Sequence, residues 1–226
     1  FVPEDSENNL AGLHDPIGDK VHAKDDGIIH RYSNRILFSP TTICPVHCRY
    51  CFRKNELNLQ EDFLKANTDS LLHYLRENPT VEEVILTGGD PLIISNTKID
   101  KLLAKISSVS SVKYIRFHTR TPIIIPSRID DDLIFILKKY RAHFKTISMA
   151  IHTNHISEID ENVKNAIKKL TDININLLSQ TVLLKNINSN LNDLIDLFKE
   201  INHLGIRPYY LHHPDQVLGA MHFYLT

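Results

Sequence analysis

A recurring couple constrains this chain most: a short apolar run, then an amphipathic helical stripe. Apolar runs that read as buried strands occur at Ile36–Phe38, Val84–Leu86, Tyr114–Phe117, Ile147–Ile151, Ile175–Leu178 and Tyr209–Leu211. After a longer first gap they recur at about 30 residues, the size of one βα unit. Between them, Ile99, Leu102, Leu103 and Ile106 fall at i, i+3, i+4 and i+7. Leu133, Ile136, Leu137 and Tyr140 repeat the spacing, as do Val163, Ala166, Ile167 and Leu170, and Leu191, Leu194, Ile195 and Phe198. Each set makes one stripe that packs on a sheet. A further helix is expected from about Asp69 to Glu77, stopped by Pro79, and Gly205 suits the position just past the last helix. Such alternation predicts a parallel sheet with right-handed crossovers.

Periodicity alone does not separate an open doubly wound sheet from a barrel. The residues after the runs favour the barrel. Thr41, Thr42 and the cysteines follow the first run, Thr87–Asp90 the second and His118–Arg120 the third, and polar residues also follow the others. A barrel gathers all its strand C-termini round one mouth, where such side chains meet. The expected fold is α/β, a partial (β/α)6 barrel of the TIM type over residues 35–226. Residues 1–34 carry neither period and are expected to form an irregular covering segment.

Composition narrows the class further. The 226 residues include 26 Lys and Arg against 27 Asp and Glu, a net charge of -1 that gives no general footprint for nucleic acid or an anionic membrane. No apolar window reaches the ~18 residues of a membrane-spanning helix, and Phe1–Asp5 lacks the features of a secretory signal. Phe1 stands where a Met would open a gene product, and the chain stops at Thr226 just after an apolar run, so it reads as a piece of a longer protein.

All three cysteines lie within eight residues, as Cys44-Pro45-Val46-His47-Cys48-Arg49-Tyr50-Cys51. An odd, tight cluster makes a poor disulfide framework and suits a reducing cytoplasm with a metal or cluster. Three thiolates at C-x3-C-x2-C can hold three irons of a [4Fe-4S] cluster and leave the fourth open to a substrate or cofactor. The rival is a Cys3His zinc site completed by His47 or another histidine, in a binding module without catalysis. No second C-x2-C hook supports that rival.

The spacing, with Tyr50 before the last cysteine, resembles the signature of radical S-adenosylmethionine enzymes. His30–Arg35, Cys48–Lys54, Leu86–Leu92, Pro122–Ile129, Gln180–Leu184 and Pro208–His212 together resemble lysine 2,3-aminomutases, from about residue 10 to the end. Tyr209–His212 and Gly219–Phe223 look most like the relatives that form β-lysine for elongation factor P. The resemblance implies movement of the lysine α-amino group to the β-carbon. It also implies a [4Fe-4S] cluster, S-adenosylmethionine, pyridoxal 5′-phosphate and an external electron donor. Another radical S-adenosylmethionine reaction, or another amino-acid substrate, stays open, as does homo-oligomerisation.

Residue by residue, the resemblance assigns Cys44, Cys48 and Cys51 to the cluster. Gly88 and Gly89, adjacent and directly after a strand, allow close backbone approach to a ligand, and in the family this stretch with Asp90 receives S-adenosylmethionine. Thr119, Arg120, His152 and Gln180, at strand ends, are expected to line the same cofactor's pocket. Arg35 matches an arginine on the pyridoxal phosphate group, Arg53 one on the substrate carboxylate, and Asp215 the aspartate that holds the distal ammonium. His155, His212, His213 and His222 belong either to the mouth or to loop hydrogen bonds. The family's lysine for pyridoxal phosphate has no counterpart, since no glycine-rich lysine segment follows Phe223.

Overall fold

A computed structural model describes residues 5, 11–24, 27–57 and 67–225. Part of the expected covering segment, and Thr226, lie outside the described residues. The elements run α1 (Asp19–His22), β1 (Ile28–Tyr32), β2 (Arg35–Thr41), α2 (Lys54–Leu57), α3 (Thr68–Glu77), β3 (Glu83–Gly88), α4 (Asn96–Ser107) and β4 (Tyr114–Thr119). There follow α5 (Thr121–Ile124), α6 (Asp131–Arg141), β5 (Thr146–His152), α7 (Glu161–Asp172), β6 (Asn176–Val182), α8 (Leu191–His203) and β7 (Arg207–His212).

The strands form one sheet in the order β1 to β7, with β1 antiparallel to β2 and every later pair parallel. A doubly wound sheet reverses its strand order at a switch point. This one never reverses, so right-handed crossovers put its helices on one face and the sheet curls. The fold is a partial barrel of six parallel strands, as expected, with an additional antiparallel strand at its edge. That strand, β1, lies in the segment expected to be irregular. Ile28 packs in the main core while Ile29 lines the central cavity, so both neighbours are apolar and no alternation marks the strand.

The helical stripes explain why the crossovers dock. Ile99, Leu102, Leu103 and Ile106 on α4 are all buried, as are the expected sets on α6 and α7. On α8 the expected stripe is corrected by one turn. Leu197 and Ile201 are buried and Leu194 and Phe198 half-buried, whereas Leu191 and Ile195 are exposed. Leu191 is the first residue after the Asn190 cap, so it opens the helix ahead of the stripe that Leu194, Leu197, Phe198 and Ile201 turn inward.

Side-chain caps set the helix starts: Asn67, Ser95, Asp130, Asp160 and Asn190 each accept a bond from a first-turn backbone N–H. Each such cap contributes about 1 kcal/mol. At the end of α8, Gly205 takes φ 82° and Ile206 N–H donates to Ile201 O, the glycine stop expected. Across the opening, Leu13 pairs with Val217 beyond β7, with Leu13 N–H on Gln216 O at 2.8 Å and Leu218 N–H on Leu13 O at 3.0 Å. Among the described residues no helix is long and apolar enough to cross a membrane.

Candidate functional site

The C-terminal ends of the parallel strands surround a cavity of about 470 Å³. Strand register sets its layers: His152 lies beside Gln180, and Gln180 beside Tyr210. Cys44, Cys48 and Cys51 all reach the cavity, as do Gly89, Asp90, Thr119, Arg120, His152, Gln180, Arg35, Arg53 and Asp215. Of the residues expected at the site, Gly88 alone among the described ones does not line it.

The glycine pair also packs closely on the chain that enters the cysteine loop. Gly88 sits at φ 97°, and a Cβ there would lie 1.7 Å from Ser39 Oγ. A Cβ on Gly89 would lie 2.3 Å from the Ile43 carbonyl oxygen. The close approach is therefore to the chain entering the cysteine loop, which leaves the backbone free to bond. Gly89 N–H donates to Thr41 O at 2.8 Å, and Asp90 N–H to Ile43 O at 3.0 Å.

Asp90 likewise fastens the mouth. It is buried, and Oδ1 accepts from Leu92 N–H at 3.0 Å and Thr119 Oγ1 at 2.6 Å. Oδ2 accepts from the backbone N–H of Arg120 at 2.8 Å and Thr121 at 3.0 Å. Asp90 and Thr119, expected as cofactor contacts, thus spend these polar atoms joining the ends of β3 and β4.

Arg120 leads from that clasp to the cysteines. Its Nη1 donates to Cys48 Sγ at 3.0 Å and also to the Tyr50 hydroxyl, while Nη2 meets Glu158 Oε2 at 3.1 Å. Tyr50 Oη lies 2.8 Å from His152 Nε2, with the two rings stacked. Burial, then the neighbouring Arg120 charge, pushes the His152 pKa down to about 3, so its ring is neutral. His118 behaves the same way, lowered to about 3 by burial and then by Arg116. Burial and then Cys51 push the Cys44 thiol up to about 12.

Those three thiols form no disulfide and lie half-buried on one loop facing one cavity. Among the described residues no three His, Cys, Asp or Glu side chains converge as a single metal ion requires. A cluster places each thiolate on a different iron, so its ligands need not converge. The donor set fits that group.

Arg53 is buried, and its Nε and Nη2 donate to Asp19 Oδ2 at 3.1 and 2.5 Å. Asp215 stands on the rim, its carboxyl raised by partial burial against the pull of His212 and His213. At the strand starts Glu83 is shared, with Arg116 Nη2 at 2.5 Å and Arg35 Nε at 3.6 Å. Two guanidiniums on one carboxylate leave a net positive edge. Of the histidines left open, His212 lines the cavity, while His155 caps a turn through Ser157 N–H and His213 lies 3.3 Å from the Pro214 carbonyl oxygen. His222 Nε2 is 3.5 Å from Arg49. Sequence reasoning missed Asp19 and Glu158, whose partners lie 34 and 38 residues away.

Barrel, mouth and three-cysteine loop define the class of the protein as a partial α/β barrel that carries a cysteine loop at its strand ends. The Radical SAM superfamily profile matches residues 38–201, and the chain belongs to that superfamily. L-lysine 2,3-aminomutase of Buchnera aphidicola subsp. Baizongia pistaciae is 37% identical over 97% of this chain and 64% of its own length. The Escherichia coli K12 protein of the same name is 35% identical over 94% of this chain and 61% of its length. This chain thus spans less than two thirds of these relatives. The solved structure described as native anSMEcpe with bound AdoMet shares the fold, at TM-score 0.55 and 15% identity over 77% of this chain and 51% of that one.

Proposed function

We propose that the protein acts as a lysine 2,3-aminomutase, moving the α-amino group of lysine to its β-carbon. One observation carries this reading: a single cavity is lined by three cysteines, a buried arginine and an aspartate. The curated relatives named above support it.

Cys44, Cys48 and Cys51 would hold a [4Fe-4S] cluster, and the mouth beside Gly89, Arg120, His152 and Gln180 would take S-adenosylmethionine. Together with pyridoxal 5′-phosphate these groups supply the radical and amino-transfer chemistry when bound. The protein's own residues bind, orient and exclude water. Arg53 presents a guanidinium with five N–H donors, of which Asp19 engages two nitrogens, so donors remain for a substrate carboxylate. Asp215 offers the opposite charge for a distal ammonium and disfavours acidic side chains. Arg35, beside the Glu83–Arg116 pair, gives a phosphate a cationic edge.

The test is anaerobic incubation of the reconstituted full-length protein, including its lysine for pyridoxal phosphate, with lysine, S-adenosylmethionine, pyridoxal 5′-phosphate and dithionite. Mass spectrometry is expected to find β-lysine. Reductive cleavage of S-adenosylmethionine with lysine unchanged, while another amino acid is converted, would sink the substrate assignment.

A further inference from the structure

Arg120 touches a cysteine sulfur and a carboxylate at once. Its guanidinium lies 3.0 Å from Cys48 Sγ through Nη1 and 3.1 Å from Glu158 Oε2 through Nη2, with its side chain 9% exposed. The Tyr50 ring lies 5.8 Å below the guanidinium carbon and shields that side. Glu158 is itself held, accepting from Thr153 Oγ1 and Asn154 N–H at 3.3 Å each. Neither partner of the pair is a swinging surface group. Arg120's backbone N–H is fixed separately by Asp90, so the loop is anchored whatever the side chain is.

Building on the cluster reading above, we propose that Arg120 and Glu158 form a charge pair that sets the reduction potential of the cluster held by Cys48. Reducing a cluster adds negative charge to its irons and sulfurs. A cation that hydrogen-bonds a ligand sulfur favours that reduced form, and a carboxylate behind the cation offsets part of the effect. Both act at short range in a desolvated site, where salt screens them little. Arg120 raises the potential, and Glu158 holds the rise in check.

This gives two substitutions of opposite sign. Arg120→Gln removes the charge and the forked donor. Glu158→Gln keeps the shape and unmasks the guanidinium. The experiment is a spectroelectrochemical titration of the reconstituted protein, without S-adenosylmethionine or amino acid, after iron and sulfide analysis of each variant. Arg120→Gln is expected to make reduction at least tenfold less favourable, a fall of about 59 mV for a one-electron couple. Glu158→Gln is expected to raise the potential, and Arg120→Lys to recover part of the loss. The double variant should lie above Arg120→Gln, because the Glu158 charge opposes reduction even without the arginine.

A wild-type protein that assembles no cluster defeats the cluster reading itself. A full cluster whose potential is the same in both Gln variants, or moves in the same direction in both, overturns the inference alone. If Arg120→Gln loses its cluster, Glu158→Gln, which alters no group touching the cysteines, decides the matter by the sign of its shift.

Discussion

Asp19 and Arg53 form an ion pair with side chains only 6% and 3% exposed, tying the N-terminal helix α1 to the end of the cysteine loop. Removing one partner of a buried pair strands the other charge, at about 3–5 kcal/mol. Asp19→Asn retains a hydrogen bond, so a loss near the low end is expected. For a chain of this size that lowers Tm by roughly 6–12 °C. Replacing both residues with Leu should recover part of the loss, since apolar packing tolerates the site without a stranded charge. Thermal unfolding of the two variants checks this. A double variant less stable than the single one would refute it.

Gly89→Val should damage the cysteine loop as well as any ligand contact. Its Cβ would fall against Ile43, the residue before Cys44. The expected result is reduced iron content after reconstitution, measured against Gly205→Ala. There an added Cβ would find Thr171 Cγ2 at 3.3 Å, on the far side of the fold from the cysteines, so iron content should stay normal. Normal iron in a folded Gly89→Val protein would contradict the packing argument.

Acid should destabilise the fold through His118. Its folded pKa is depressed to about 3, below the usual histidine value of 6.5, chiefly by burial and then by Arg116. Between those values the unfolded chain binds the extra proton, so stability rises with pH and is lost as pH falls below 6.5. The contribution is a slope of up to about 1.4 kcal/mol per pH unit. Urea titrations at pH 7, 6 and 5 should show a shallower slope in His118→Gln than in wild type. Equal slopes would remove His118 from the account.

Asp215→Asn tests the proposed lysine contact by removing charge at constant size. A desolvated pair would cost about 2–5 kcal/mol, or roughly 30- to 5,000-fold in affinity. Asp215 is on the exposed rim, so a loss of about 10- to 100-fold is expected, discounted for solvent screening. Calorimetric lysine binding to the loaded protein is the readout. Unchanged affinity would end the assignment.

Much of the architecture was legible because parallel strands and their helices carry strong periods: every expected run from Ile36–Phe38 onward lies in, or at the edge of, a strand. β1 was illegible because Ile28 and Ile29 are buried on opposite faces, so no polar residue alternates with them. The α8 stripe was displaced because periodicity gives the spacing of a face without saying where the partner sheet begins. The cysteine loop was legible from spacing alone. The Asp19–Arg53 and Arg120–Glu158 pairs were not, since nothing local in a sequence says which distant charges will meet. The packing of Gly88 on Ser39 and of Gly89 on Ile43 was not legible either, since it depends on where the chain entering the cysteine loop passes.

The tether of the cysteine loop bears on how the proposed cluster would meet an arriving electron. Gly89 N–H holds Thr41, Asp90 N–H holds Ile43, and the Asp90 carboxylate gathers Leu92, Thr119, Arg120 and Thr121. The loop thus inherits the stiffness of two neighbouring strands. Charge transfer is slowed by whatever has to rearrange when the charge lands, and dipoles already in place spare that cost. Carried on this frame, the start of the loop is held in place, and the proposed cluster would be reduced there at a low reorganisation energy.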